Sequence, residues 1–244
     1  MKIYAVLLSP VLVLIAFSTV FGQADSLGSF DENENDFRLT VGASGGFTLV
    51  NPGSINDELA FVNNSLDADM EKVTMISQFA AYVRIKPRMA PYMFMRLEAL
   101  TVARSFDLAA QGRSASGAST GVFNTTTDTR WTVYPFVIGI GTTIPKTPID
   151  VEVGAMYAMG YITEKVTTEG SGSSSNTSSG NSFGLQGRVS PRFRISKNAS
   201  ISFDVSYRFL TVKDYSDNLG RPVQNFEFYL DGMSLGLGVS YNFE

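Results

Sequence analysis

Tyr229-Leu-Asp-Gly-Met-Ser-Leu-Gly-Leu-Gly-Val-Ser-Tyr-Asn-Phe243 is the stretch whose reading decides the fold. From Met233 onward every second residue is large and apolar: Met233, Leu235, Leu237, Val239, Tyr241 and Phe243. Between them stand Ser234, Gly236, Gly238, Ser240 and Asn242, all small or polar. A strict period of two over this length is a β-strand with two unlike faces. The small, polar face is too weak to be an ordinary core. A strand apolar towards lipid and polar towards a barrel lumen has this pattern.

Seven earlier stretches repeat it. Residues 37–49 set Phe37, Leu39, Val41, Ala43, Phe47 and Leu49 against Arg38, Thr40, Ser44 and Thr48. Residues 73–85 set Met75, Phe79, Ala81, Val83 and Ile85 against Gln78, Tyr82 and Arg84. In 92–106, Met93, Met95, Leu97, Ala99 and Ala103 oppose Arg96, Glu98 and Arg104. Residues 130–144 carry Tyr134, Phe136, Ile138, Ile140 and Ile144, but their other face (Val133, Pro135, Val137, Gly139, Gly141) is not polar. In 151–162, Val151, Val153, Ala155, Tyr157, Met159 and Tyr161 oppose Glu152, Gly154 and Gly160. Residues 183–195 set Phe183, Leu185, Val189, Phe193 and Ile195 against Gln186, Arg188, Arg192 and Arg194, with Pro191 suggesting a bulge. Residues 200–211 set Ile201, Phe203, Val205, Tyr207 and Phe209 against Ser202, Asp204, Ser206 and Arg208.

Only Arg130 and Asp231, each at the end of its stretch, put a charge on the outward parity, although 17% of the chain is charged. A charge on a lipid face at the bilayer midplane costs about 2–4 kcal/mol, so a membrane enforces such an absence. The connections alternate: 86–90, 145–148 and 197–199 are short, whereas 50–72, 107–129, 164–182 and 214–225 are long. The expected fold is one all-β domain over 37–244, an eight-stranded antiparallel transmembrane up-and-down barrel. Closure satisfies every backbone group in lipid.

Ahead of the strands, Lys2 and an apolar run from Ala5 to Phe17 read as a secretory signal peptide, 1–22, with a cut as late as 24 also compatible. An acidic tail, 23–36, follows, with Asp25, Asp31, Glu32, Glu34 and Asp36. Net charge is −4, which argues against nucleic acid as a partner.

In topology and in the aromatic end of its last strand, Tyr241-Asn242-Phe243, the chain resembles the small eight-stranded bacterial outer-membrane barrels, like the OmpA transmembrane domain and OmpX. The resemblance covers about 37–243. It implies a Gram-negative cell envelope, with outer-membrane lipid and lipopolysaccharide around the wall and both termini in the periplasm. It also implies that Tyr241 and Phe243 form an assembly signal for the barrel-assembly machinery.

The chain has neither histidine nor cysteine. The usual general base and the commonest transition-metal ligands are therefore missing, and no enzyme activity, cofactor or metal is expected. The inward parity holds Arg38, Arg84, Arg96, Arg104, Arg188, Arg192, Arg194 and Arg208, faced by Glu98, Glu152 and Asp204. A lumen this narrow is filled by side chains, so a hydrogen-bonded plug is expected. A narrow, anion-preferring or small-solute channel is the alternative. The Gly/Ser-rich tract in 164–182 reads as a flexible solvated loop. Residues 55–70 read as a short helix or lid, with Asp57, Glu58, Asp67, Asp69 and Glu71 a charged surface rather than a calcium site. The expected role is structural or surface-interacting, carried by mobile outer loops whose ligand, if any, the sequence does not name.

Overall fold

The computed structural model of the protein describes residues 38–50, 56, 60, 72–87, 90, 92–113, 122–168, 172–222 and 227–243. The leader, the acidic tail and the carboxylates of 57–71 lie outside the described residues. Ten strands follow in order: β1 (Arg38–Val50), β2 (Met75–Lys86), β3 (Met93–Arg113), β4 (Val122–Thr143), β5 (Ile149–Thr168), β6 (Gly172–Arg194), β7 (Ala199–Phe209), β8 (Thr211–Ser216), β9 (Phe228–Tyr229) and β10 (Gly232–Phe243). Eight of them close a ring, β1-β2-β3-β4-β5-β6-β7-β10, every contact antiparallel and β10 returning to β1. The closing strand is the alternating stretch 232–243, paired from Phe243↔Leu39 to Gly232↔Val50.

The alternation orients the ring as the sequence reads. Phe79, Ile138, Val153, Leu185, Leu237 and Val239 are each about two-thirds exposed to the outside. A soluble protein rarely leaves so continuous an apolar belt uncovered, and here lipid covers it. Tyr134, Tyr157, Tyr207 and Tyr241 also face outward, with Tyr134 and Tyr161 edge-to-face at 5.9 Å, as an interfacial girdle requires. Replacing Ile138, opposite Leu97 and Ala155 in the belt, by Arg should cost about 2–4 kcal/mol, read as a lower urea midpoint in vesicles.

The structure corrects three expectations. Residues 107–113 and 122–129, and 164–168 and 172–182, are strand rather than loop. The Gly/Ser tract is held in place by its neighbour: Gly172 to Asn176 pair with Thr168 to Glu164, among which the β-branched Val166, Thr167 and Thr168 favour extended backbone. These four strands reach 20–23 residues against the roughly 9–11 a tilted crossing needs, so the excess stands clear of the membrane as a four-stranded sheet. Pro191 makes no bulge: β6 and β7 keep one register from Leu185↔Phe209 to Arg194↔Ser200, the ladder simply pausing at Ser190 and Pro191. In 55–70, Asn56 and Ala60 are helical, and the Asn56 amide brackets the Val73 backbone at 2.8 and 3.1 Å.

Candidate functional site

The lumen is the one place where charge is concentrated inside the ring, and it has two unlike halves. The half nearer the short turns is ionic. Arg84 reaches both Asp150 oxygens, at 2.8 and 3.2 Å, while the Thr143 hydroxyl donates to the same carboxylate at 2.7 Å and Arg192 adds a bond at 2.5 Å. Further in, Arg188 forks onto Glu98 with bonds of 2.6 and 2.5 Å, and Arg96 meets the same carboxylate at 2.5 Å. Glu152 lies 3.7 Å from Arg188. Two guanidiniums are also stacked: Arg84 lies 3.7 Å over the Phe94 ring and Arg96 lies 3.5 Å over Tyr82. Arg208, fully buried, donates to Gln78 at 3.0 Å, and Gln78 in turn accepts from Thr48, which contacts Ser234.

A residual cavity of about 10 Å³ is lined by Glu98, Arg188, Asp204, Ser206, Arg208 and Gln78 among others. That is space for one water, not for a solute. Among the described residues, Asp204 Oδ1 and Arg208 Nη1, both at this cavity, have no hydrogen-bond partner in the protein.

The half nearer the long hairpins is apolar, which the sequence reading did not expect. Val73, Ile76, Leu100, Val102, Trp131, Val133, Val137, Met156, Ala158 and Ile162 point inward and are buried. This resolves the odd inner face of 130–144: the parity is right, and the lumen at that height is a hydrophobic core. It is closed by the chain itself. After β7 the backbone turns at Leu210, runs as β8 against β6, and returns through β9. Leu210, Val212, Tyr215, Phe228 and Leu230 are all buried against the inward residues above, with Phe228 edge-to-face on Trp131 at 5.7 Å. Gly160 and Gly180 make room for it. A Cβ on Gly160 would meet the Tyr215 hydroxyl at 2.4 Å, and one on Gly180 would meet the Lys213 carbonyl at 2.7 Å. The outer turn of this segment is held by Asp217, which accepts from the Leu219 and Arg221 amides at 2.9 Å and from the Arg221 side chain at 2.7 Å. The Arg221 side-chain bond holds that exposed carboxyl below the usual carboxylate range.

Of the residues the sequence singles out, Arg84, Arg96, Glu98, Glu152, Arg188 and Arg192 converge on the ionic half, and Asp204 and Arg208 line the cavity beside it. Two do not join it. Arg104 keeps inward parity opposite Trp131 but is exposed, at the outer edge of the apolar half. Arg194 is exposed at the short-turn rim and donates to the Ser196 and Lys197 carbonyls. The Arg38 side chain lies outside the described residues. Asp150 is the participant missed, although it shares parity with Glu152 two residues on. With it, five described arginines face four carboxylates in the lumen, and the large cationic surplus disappears. Tyr241 and Phe243 lie outward, edge-to-face at 5.0 Å, beside the short turns, and Asn198 donates to the Tyr241 hydroxyl at 3.1 Å. Among the described residues no group of three or more carboxylates has metal-binding geometry.

The architecture is that of an eight-stranded transmembrane β-barrel with a filled interior. Solved structures similar to the chain are small bacterial outer-membrane barrels. They include Ail of Yersinia pestis in complex with the heparin analogue sucrose octasulfate, at TM-score 0.46 and 13% identity over 85% of this chain and 99% of that one. A major outer membrane protein of Thermus thermophilus gives 0.40 and 17%, over 85% and 100%. OprG of Pseudomonas aeruginosa gives 0.40 and 13%, over 85% and 95%. No protein-family model and no curated protein matches the chain.

Proposed function

We propose that the chain is a non-enzymatic outer-membrane protein, closed to solutes, whose barrel carries an interaction surface on the long-hairpin side. The observation that carries this reading is the occupied lumen: an ionic plug and a second, apolar plug, with a cavity of about 10 Å³ beside the ionic one. The channel is filled twice, by different chemistry, which a pore would not need. The absence of histidine from the sequence agrees with a non-catalytic role. Short turns then face the periplasm, both termini with them, and the β3–β4 and β5–β6 hairpins rise outside as a four-stranded sheet. Lipid and lipopolysaccharide cover the apolar belt, and Tyr241 and Phe243 serve the assembly machinery. The ligand at the outer sheet is a surface partner whose chemistry stays open.

Single-channel recording of the refolded protein tests the proposal. A barrel shown to be folded by its heat-dependent gel shift should give no steady openings. Steady, anion-preferring current would replace this reading by the narrow channel.

A further inference from the structure

Asp231 is the one charged residue of the stretch 229–243, and it stands on the lipid-facing parity. Neither plug uses it. It lies where the chain running from β7 to β10 changes direction. Both arms of that chain break at the same height: Leu210 separates β7 from β8, and Leu230 and Asp231 separate β9 from β10. The register does not break there. Gly232↔Arg208 on one side of the gap and Thr211↔Tyr229 and Val212↔Phe228 on the other belong to one unslipped ladder, in which Leu210 faces Leu230.

Two residues bonded directly across an antiparallel ladder exchange both backbone bonds. Here one of the two is made, from the Leu230 amide to the Leu210 carbonyl at 2.8 Å. The Leu210 amide donates to the Asp231 carboxylate instead, at 2.5 Å. A side chain has taken the place of the Leu230 carbonyl, and the arms leave the wall at that point. They turn inward, over the lumen face of β5 and β6. A Cβ on Gly184 would run into the Phe209 carbonyl, and one on Gly180 would meet the Lys213 carbonyl at 2.7 Å. Gly160, opposite Gly180 in register, leaves room for Val212 and Tyr215. Gly187, on the lipid-facing parity of β6, has nothing within 4 Å of such a Cβ. The backbone of β8 thus lies as a strap across glycines of the inner wall.

We propose that Asp231 is the pin of a releasable strap: by accepting the Leu210 amide, its carboxylate turns β8 and β9 onto the inner wall. Release returns the two arms to a straight ladder. That change needs no new register and exchanges one hydrogen bond, Leu210 amide to Asp231, for another, Leu210 amide to the Leu230 carbonyl. Val212, Tyr215 and Phe228 then leave the lumen and uncover Trp131, while the ionic half stays closed. The proposal rests on the two-plug reading and deepens it, because the apolar plug becomes a moving part and the ionic plug a fixed one.

The chain has no native cysteine, so single cysteines report on the strap. Val212→Cys places one in it and Ser206→Cys one in the ionic half, both at buried positions. Labelling by a water-soluble maleimide is followed in nanodiscs, where both mouths are accessible. In the otherwise unaltered barrel, Val212→Cys should label at a rate that low urea leaves unchanged, whereas Ser206→Cys should follow global unfolding. Asp231→Ala should speed the first by about tenfold or more, since a hydrogen bond to a charged acceptor is lost, and leave the second as it was. Asp231→Asn, which keeps the acceptor oxygen, should hold the wild-type rate. Gly184→Ala should also speed Val212→Cys labelling, and Gly187→Ala should not. Rates at the two cysteines that rise together with urea would make the strap part of one rigid barrel and overturn the proposal, without any variant at Asp231. An Asp231→Ala barrel that labels like wild type, or an Asp231→Asn barrel as fast as Asp231→Ala, would overturn it too. Steady current through the wild type would remove the closed-barrel reading and leave the labelling result standing.

Discussion

Glu98→Ala should be the most destabilising single truncation in the ionic half of the lumen, lowering stability by about 3–5 kcal/mol. The reason is the number of cations that one carboxylate serves. Arg188 forks onto it with two bonds and Arg96 adds a third contact, and the Glu98 side chain is 1% exposed. Removing it leaves two guanidiniums buried beside each other, with Glu152 the remaining acid within reach, 3.7 Å from Arg188. The expected observation is a large fall in the urea midpoint of the refolded protein. Glu98→Met/Arg188→Met should recover a good part of the loss, since removing both partners leaves no orphaned fork. Asp204→Asn should cost far less, because Asp204 Oδ1 has no hydrogen-bond partner among the described residues. Equal midpoints for Glu98→Ala and wild type would mean that water enters and solvates the arginines, and the plug would not be a structural one.

The contrast between Glu98 and Asp204 marks where sequence reading stopped. Period two assigns both to the lumen, because each strand position has only two choices of face. Height and circumference are a different matter. Arg96 and Arg104 share parity on β3, yet one is buried over Tyr82 and the other exposed at the outer edge of the apolar half. Depth depends on shear around the ring, which no single strand records. Asp150 was missed for a related reason: it lies at the very start of β5, where a period has too few residues to be read. The eight ring strands were legible because lipid requires one face of each to be uncharged. The Gly/Ser hairpin was not, since Gly172 to Asn176 are held extended by the residues opposite, against their own preference. The β8–β9 segment was hidden too. Its apolar residues, Val212, Tyr215 and Phe228, are too few and too scattered to show a period, and their partners Leu100, Val102 and Ile162 come from other strands.

That segment carries the second large effect, a change from silence to conduction. Leu210 and Leu230 are already joined by a backbone bond of 2.8 Å, and Asp231 accepts from the Leu210 amide at 2.5 Å. A two-residue turn in place of 211–229 therefore bridges β7 to β10 without moving the ring. It removes Val212, Tyr215 and Phe228 and so empties the centre of the apolar half. The ionic half, held by Arg84–Asp150 and Arg188–Glu98, should still block the path, and the shortened protein should stay silent in a planar bilayer. Glu98→Ala/Arg188→Ala in the full-length chain should stay silent as well, closed by the apolar half. Only the two changes together should give steady openings, and that non-additivity is the signature of two plugs in series. Steady current from the shortened chain alone would mean the ionic half leaks and that β8–β9 is the sole barrier. Silence from the combined variant, folded by its gel shift, would assign closure to what it leaves in place, the Arg84–Asp150–Arg192 cluster or the inward wall residues Trp131, Ala158 and Ile162.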